Sequence, residues 1–216
     1  MDTDFARQQM VDQQVRAWDV LHPDILRVLS EVPREQFVPT GFEALAFADT
    51  EIPIGHGQAM MTPTLEGRVL QALNPGSDDK VLEIGTGSGF LTACLARLAG
   101  HVTSIDIHES FLESARVNLD DTGIGDVSLL PMDATLEIPE GGFDVIAVTG
   151  SVEEPDSRFA EALTYGGRLF VIVGKGPAMD ARLITRTGDA SWDSESLFET
   201  KLAPLVDANR RAKFFF

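Results

Sequence analysis

The residues of this chain best suited to ligand chemistry are Glu83 and three glycines, Gly85, Gly87 and Gly89, which alternate after an apolar run typical of a buried strand. Glycine has no Cβ, so a turn built from it lets a ligand approach the backbone N–H groups closely. A helix that begins near Ser88 would add its positive end to the same place. The sequence therefore predicts a strand, a glycine-rich turn and a helix, with a ligand on the turn.

The spacing of the glycines distinguishes two kinds of ligand. Dinucleotide-binding turns favour G-x-G-x-x-G, whereas this chain has an acidic residue followed by G-x-G-x-G, the form typical of proteins that bind S-adenosylmethionine. A pyrophosphate favours uncompensated amides, while the Glu83 carboxylate suits a cofactor that carries an ammonium and a sulfonium. We therefore expect S-adenosyl-L-methionine as the cofactor. A nicotinamide-dependent oxidoreductase is the alternative at the level of the fold.

Polar side chains at the ends of the following strands support this expectation. Asp106 ends the next predicted strand, 21 positions beyond Gly85, close to the roughly 20-residue separation at which an acid reaches a ribose diol. Asp133 and Thr149 follow two further strands, and ligands bind beyond the carboxyl ends of parallel strands, so these residues should share one crevice. Alternatively, Asp106 and Asp133 only cap helices or turns. The expected cofactor-binding residues are Glu83, Gly85, Thr86, Gly87, Ser88, Gly89, Asp106, Ile107, Asp133, Ala134 and Thr149.

Helical periodicity precedes this region. The predicted helices are residues 5–18, a helix from His22-Pro23-Asp24 to Val32-Pro33, and a helix from Thr62 or Pro63 to Leu73 that Asn74-Pro75-Gly76 ends. In the first helix the apolar positions, from Phe5 to Trp18, fall mostly on one face. Glycine and proline punctuate residues 52–58, which we interpret as a functional loop without regular structure.

From residue 80 onward strands alternate with amphipathic segments, near residues 80–84, 101–106, 126–131, 143–149 and 167–174. Such alternation predicts an α/β fold with a parallel sheet covered on both faces. Residues 182–186 and 197–202 flank a polar turn at 188–194 and predict an antiparallel hairpin at the sheet edge. We divide the compact unit into a helical cap with the functional loop, residues 1–76, and a cofactor-binding core, residues 77–216.

Composition limits the function classes. The chain has 216 residues, a net charge of −17 and a pI near 4.4, which argues against a basic surface for nucleic acid. No apolar run approaches the ~18 residues of a membrane span, and the acidic start Met1–Asp4 lacks the features of a signal peptide. We expect a cytoplasmic protein that binds neither nucleic acid nor membrane. Cys94, the single cysteine, is expected to fill the core rather than act as a nucleophile.

The histidines show no spacing that suits a metal site, so no metal is expected; they are His22, His56, His101 and His108. The apolar tail Phe214–Phe216 is expected to dock on the body of the protein, with binding to a partner as the alternative. We expect a monomer, with a dimer as the alternative.

A series of further motifs extends the pattern beyond the glycine turn. In order they are Met10-Val11 with Gln14, Val32–Pro39, Ala46–Asp49, Pro53–Gln58, the glycine turn and Tyr165–Leu169. From about Met10 to Val206 the chain resembles the protein-L-isoaspartate (D-aspartate) O-methyltransferase family. The resemblance implies a Rossmann-like, seven-stranded methyltransferase sheet with an N-terminal helical cap. It also implies protein repair, in which a methyl group passes from S-adenosylmethionine to the carboxylate of an isoaspartyl residue.

Such a transfer asks little of side-chain chemistry. A carboxylate acceptor is already ionised near neutral pH, so no general base is required. Holding the acceptor oxygen and the methyl group about 3 Å apart and in line lowers the barrier by several kcal/mol. His56 is the one candidate for a general base. Alternatively, His56 is an ordinary loop residue whose ring is hydrogen-bonded to the backbone.

The chain departs from the family just after Gln58. The family usually has Gly-Gln-Thr-Ile-Ser-Gln-Pro, with the serine associated with the substrate carboxylate, whereas this chain has Met61 at the serine position. Methionine donates no hydrogen bond to an oxygen anion. Thr62 and Ser151 are candidate replacements that would position the acceptor, although Thr62 also suits the cap of the following helix. 

Two alternatives for function follow from that departure. Met60 and Met61 make the acceptor side more apolar, which favours a methyltransferase with a changed small-molecule acceptor such as a small carboxylate or a phenol. Loss of the serine beside an intact glycine turn would also suit a cofactor-binding regulatory relative without catalysis.

Overall fold

The computed structural model describes residues 3–208 of the chain, so the tail Phe214–Phe216 lies outside the described residues. The N-terminal segment is helical throughout, but helix α1 (Thr3–Met10) continues as a π turn and then a 3-10 turn up to Trp18. The central apolar residues are buried, whereas Phe5 and Trp18 are 62% and 56% exposed. The single apolar face predicted for residues 5–18 is therefore wrong at both ends. Phe5 lies off the buried face within α1 itself, and the changes in helical pitch after Met10 turn Trp18 away from that face.

Two further helices begin and end near the predicted residues. Helix α2 (Pro23–Glu31) starts with proline in its first turn, and α3 (Pro63–Leu73) starts after Thr62 and ends at Asn74 in left-handed conformation. Proline suits the first helical position because its missing N–H would have no helical partner there.

Between these helices lies a hairpin of strands β1 (Ile52–Gly55) and β2 (Gln58–Met60), which pair antiparallel. The prediction of an irregular loop was wrong here. At the tip, Gly55, His56 and Gly57 all have positive φ, of 105°, 51° and 71°. The glycines allow a conformation that reverses the chain within two residues.

The main sheet has seven strands, as the resemblance implied. They are β3 (Lys80–Ile84), β4 (His101–Asp106), β5 (Val127–Pro131), β6 (Phe143–Val152), β7 (Leu163–Val173), β8 (Met179–Gly188) and β9 (Ser191–Thr200). Their order is β5-β4-β3-β6-β7-β8-β9, with β8 antiparallel to both of its neighbours and the other pairs parallel. The last hairpin is tighter than predicted, since only residues 189–190 separate its strands.

Helices α4 (Phe90–Leu98), α5 (Glu109–Asp121) and α6 (Ser157–Glu161) connect the parallel strands. Alternate residues of β3 face two cores: Val81 packs with the N-terminal helices, and Leu82 packs in the core on the other face. Cys94 is fully buried in α4, and burial raises the pKa of its thiol, so this residue packs in the core. 

None of the helices in residues 3–208 is long and apolar enough to cross a bilayer.

Candidate functional site

The candidate site lies where the strand order reverses. The chain runs outward from β3 to β4 and β5, and then returns to place β6 on the other side of β3. Ligands of open α/β sheets bind at such a point, beyond the carboxyl ends of the strands. Here the Thr149 hydroxyl lies 2.9 Å and 2.8 Å from the carbonyl oxygens of Ile84 and Gly85 and can donate to either. A Cβ on Gly85 would lie 2.1 Å from that hydroxyl oxygen, so only glycine fits.

The other two glycines of the turn are required for different reasons. Both have positive φ, 53° at Gly87 and 86° at Gly89. A Cβ on Gly87 would lie 3.2 Å from the side chain of Ile54 in the hairpin, and one on Gly89 would lie 2.9 Å from the Cβ of Ala115 in α5. The turn is therefore packed between the hairpin and helix α5. In this position the backbone of the turn lies at the crevice.

Asp106 closes the crevice on the β4 side. Its carboxylate accepts the N–H of Gly87 at 3.0 Å and the N–H of His108 at 2.9 Å, one on each oxygen. The residue is 8% exposed. A carboxylate oxygen accepts more than one hydrogen bond, so Asp106 both holds the turn and keeps capacity for a hydroxyl donor. The cap and the binding interpretations of this residue are thus compatible.

Asp133 is held in a similar way after β5. One of its carboxylate oxygens accepts both the backbone N–H of Thr135, at 2.9 Å, and the hydroxyl of Thr135, at 2.6 Å. The other oxygen takes part in neither bond. Asp133 thus caps the turn that it begins and also lines the crevice.

A large cavity at this place brings most of the predicted residues together. Its volume is about 640 Å³ when the open space at its mouth is included. The predicted residues that line it are Gly85, Gly87, Asp106, Ile107, Asp133, Ala134 and Thr149. The hairpin, the start of α5 and the C-terminal segment supply the rest, among them Ile54, Gln58, His108, Phe111 and Leu205, none of which we predicted as site residues.

A smaller cavity adjoins the large one and shares Ile54, Ala59, Gly85, Gly87 and Thr149 with it. Its remaining walls hold Glu83, Thr86 and Ser88 on one side and Met60, Met61 and Glu66 on the other. Met61, which the resemblance places at the family's serine position, is buried in this wall. The smaller cavity thus places the glycine turn opposite Met60 and Met61, which we call the methionine segment.

Glu83 is the unusual group of the smaller cavity. Its side chain is fully buried and accepts hydrogen bonds from the hydroxyls of Thr92 and Ser104 on one oxygen. Burial raises its pKa to about 8. The other oxygen, Oε1, has no hydrogen-bond partner within residues 3–208. Leaving a buried carboxylate oxygen unpaired costs free energy, so a donor or a cation at Oε1 would stabilise the ionised form of this group.

The methionine segment is held from behind by a buried arginine. Arg34 donates to the carbonyl oxygens of Ala46, at 2.9 Å, and Met61, at 2.8 Å, and forms an ion pair with Glu66. Its guanidinium also lies 4.7 Å from the ring centroid of Phe90, the first residue of α4. Burial raises the pKa of Glu66 to about 7 although Arg34 lies beside it. One cation thus connects the segment at Met61 to the helix that follows the glycine turn.

The three candidates for acceptor positioning lie elsewhere. The Thr62 hydroxyl accepts the N–H of Leu65 at 3.3 Å and caps α3, and the buried Ser151 hydroxyl donates to the carbonyl of Leu202 at 2.9 Å. His56 is exposed at the hairpin tip. None of the three is among the residues that line the two cavities.

With this geometry in place, comparisons with known proteins identify similar chains. Residues 6–210 match the family model described as Protein-L-isoaspartate(D-aspartate) O-methyltransferase (PCMT). The chain is 33% identical to protein-L-isoaspartate O-methyltransferase 2 of Pelobacter propionicus over 95% of its length and 92% of that protein. It is 36% identical to a protein-L-isoaspartate O-methyltransferase of Rhodopseudomonas palustris over 92% of both chains.

The fold is similar to solved structures as well. A beta-aspartate methyltransferase (PCMT) from Plasmodium falciparum, in complex with S-adenosyl-L-homocysteine, superposes with a TM-score of 0.79 at 17% identity. The match covers 92% of this chain and 97% of that one. At this identity the likeness supports the fold alone.

Proposed function

The chain belongs to the protein-L-isoaspartate (D-aspartate) O-methyltransferase family, and we propose that it transfers a methyl group from S-adenosylmethionine to the carboxylate of isoaspartyl residues in damaged protein. The observation that carries the proposal is the crevice at the reversal of strand order, in which Glu83 and Asp106 flank the glycine turn. Acids at these two places suit a cationic nucleoside and disfavour a phosphorylated one.

The residues present fit the proposed cofactor. The buried Oε1 of Glu83, which has no partner in the described part of the chain, would accept from the ammonium of the methionine part. The backbone of residues 85–89 would lie along that part of the cofactor. Asp106 would accept the ribose hydroxyls, with Ile107 beside it. Asp133 and Ala134, one strand further out, would contact the base. When bound, the cofactor supplies an electrophilic methyl group on a sulfonium.

On the acceptor side, we propose that this chain acts by positioning and by excluding water. Ile54, Met60 and Met61 bring apolar surface to the smaller cavity. Arg34 holds the Met61 carbonyl and so fixes the course of that segment. An ionised carboxylate needs no base, so what the protein must supply is a fixed, dehydrated geometry for the two reacting atoms. 

We also propose a domain organisation, a substrate, an oligomeric state and a cellular location. Residues 1–76 would form the cap and acceptor segment, and residues 77–216 the cofactor-binding core. The substrate would be an isoaspartyl-containing protein or peptide, met by a monomer in the cytoplasm.

The direct test is methyl transfer to a synthetic peptide. With radiolabelled S-adenosylmethionine, an isoaspartyl peptide should gain a base-labile methyl ester, and the same peptide with ordinary aspartate should not. Asp106→Asn should raise the KM for the cofactor, whereas the matched change Asp120→Asn, at an exposed position on α5, should leave it unaltered. Absence of ester formation by wild-type protein that binds S-adenosylhomocysteine would overturn the proposed substrate.

A further inference from the structure

Three rings pack together where the tip of the β1–β2 hairpin meets the start of α5. The imidazoles of His56 and His108 are stacked, with ring centroids 4.1 Å apart and planes 12° from parallel. Both lie nearly perpendicular to Phe111, at centroid distances of 5.2 Å and 5.3 Å. The Nε2 of His56 also lies 3.0 Å from the hydroxyl oxygen of Ser110. We call His56, His108 and Phe111 the histidine clasp.

The clasp joins two walls of the large cavity. Ile54, Gln58 and Ala59 of the hairpin line one wall, and Ile107, His108 and Phe111 line another. His56 reaches across from the hairpin tip, and a Cβ on Gly55 would lie only 3.9 Å from the Phe111 ring. The stack therefore fixes the distance between the hairpin and the strand end that carries Asp106.

The imidazoles have no evident part in the transfer itself. A carboxylate acceptor needs no general base, and His56 does not line either cavity. The Nε2 of His108 is buried without a hydrogen-bond partner within the described residues. A buried ring nitrogen left unpaired costs free energy, and stacking against His56 with edge contacts to Phe111 offsets part of that cost.

We propose that the histidine clasp positions the hairpin over the nucleoside crevice and sets the rate at which a bound nucleoside leaves. The proposal rests on the proposed function, since it takes S-adenosylhomocysteine as the occupant. His56 and His108 are then positioning residues, which act through the hairpin wall. A nucleoside held between Asp106 and Ile54 leaves faster once the two walls are no longer tied together.

The expected size follows from the strength of ring pairs. An aromatic pair contributes about 0.5–1.5 kcal/mol, which corresponds to a change of about 2- to 12-fold in a rate or equilibrium constant. Removing either imidazole should therefore raise the dissociation rate of S-adenosylhomocysteine by about 2- to 12-fold. His56 makes both ring contacts that cross from the hairpin to the start of α5, one to His108 and one to Phe111. Its removal already breaks both, so the double variant should dissociate no faster than the faster single variant.

The experiment measures release of radiolabelled S-adenosylhomocysteine from the full chain. His56→Asn keeps a residue that tolerates positive φ while removing the ring, and His108→Phe keeps a ring while removing both nitrogens. His108→Asn and the double Asn variant complete the cycle. Ser110→Ala is the matched control, since it removes the bond to His56 Nε2 and leaves the stack. Melting temperatures without ligand report whether each variant folds as wild type does.

The clasp predicts faster release in both Asn variants, no further increase in the double variant, slower release in His108→Phe than in His108→Asn, and release near the wild-type rate in Ser110→Ala. Wild-type release in His56→Asn would overturn the clasp, as would additive effects in the double variant. If His108→Asn folds poorly, the release rate of His56→Asn, a change at an exposed position, still tests the clasp. If the wild-type chain binds no S-adenosylhomocysteine, the proposed function fails together with this inference.

Discussion

At the scale of single residues, Glu83 carries the most information about the ligand. An acid placed before the glycines was predicted from sequence as the partner of a cationic cofactor, and the structure adds that one of its oxygens is buried and has no hydrogen-bond partner among residues 3–208. The sequence could not indicate this, because the pairing of the other oxygen comes from Thr92 on α4 and Ser104 on β4. The carboxyl is therefore held by two elements that lie apart along the chain.

The raised pKa of Glu83 has two consequences for pH. Burial places this pKa at about 8, above the 4.5 of an exposed carboxyl. The folded chain without ligand then keeps a proton that the unfolded chain has released, so its stability falls as the pH rises from about 4.5 to about 8. A ligand ammonium at Oε1 favours the ionised form, so binding should release a proton and tighten as the pH rises toward 8, by up to about tenfold per pH unit.

Titration calorimetry of S-adenosylhomocysteine between pH 6.5 and 8.5 checks this. Glu83→Gln keeps an acceptor for the hydroxyls of Thr92 and Ser104 but has no charge to titrate, so its affinity should be lower and nearly independent of pH. Its melting temperature without ligand should also lose part of the decline toward pH 8. Equal pH dependence of affinity in the variant and the wild type would contradict the role given to Glu83.

A second prediction concerns Met61, which the resemblance places at the position of the family's serine. Met61→Ser should lower the KM for an isoaspartyl peptide severalfold, because the new hydroxyl can donate to the acceptor carboxylate. It should also destabilise the chain by about 2–4 kcal/mol, since a buried methionine side chain is truncated. Met60→Ser removes the same volume from the neighbouring buried position. If the two variants have the same KM, the position is not part of acceptor recognition.

At the scale of elements, local sequence rules predicted the helices and strands whose apolar residues repeat regularly. The same rules failed where strand pairing or helical pitch depends on contacts with distant parts of the chain. Helix α3 begins at Pro63 after its Thr62 cap, as predicted. The hairpin at residues 52–60 was missed because its strands are short and because β1 contains both a proline and a glycine. Its pairing is supported by packing on the glycine turn and at the histidine clasp, which periodicity does not reveal.

The buried Arg34 also acts at the scale of elements. In the sequence it was singled out only as part of a family motif. It connects the turn at residues 34–36, the segment at Met61, helix α3 and helix α4. Arg34→Met should lower the free energy of unfolding by about 3–5 kcal/mol, because Glu66 is left buried without its partner. Arg27→Met removes an exposed arginine from ion pairs with Asp24 and Glu31 and should change stability little.

Urea unfolding measures both changes. At pH values below about 7 the loss in Arg34→Met should be smaller than at pH 8, because the unpaired Glu66 carboxyl then takes up a proton more readily. Equal effects of the two arginine substitutions would contradict the structural role of the buried ion pair.

At the scale of the whole molecule, topology converts separate motifs into one site. The sequence alone placed an acid or hydroxyl at the ends of three strands, and the parallel order of β3, β4, β5 and β6 brings them to one edge. What it could not supply were the walls contributed from outside the sheet: the hairpin, the start of α5 and residues 204–206. These come from contacts between segments far apart in sequence, which no local pattern encodes.

The central claim is that the crevice between the glycine turn and Asp106 holds the adenosyl cofactor with its methionine part toward Glu83. A crystal structure of the chain with S-adenosylhomocysteine tests it most directly. We predict the ribose hydroxyls on the Asp106 carboxylate, the ammonium within hydrogen-bond distance of Glu83 Oε1, and the sulfur where the two cavities meet beside Ala59 and Thr149. A nucleoside bound elsewhere, or bound in this crevice with its ribose away from Asp106, would contradict the account.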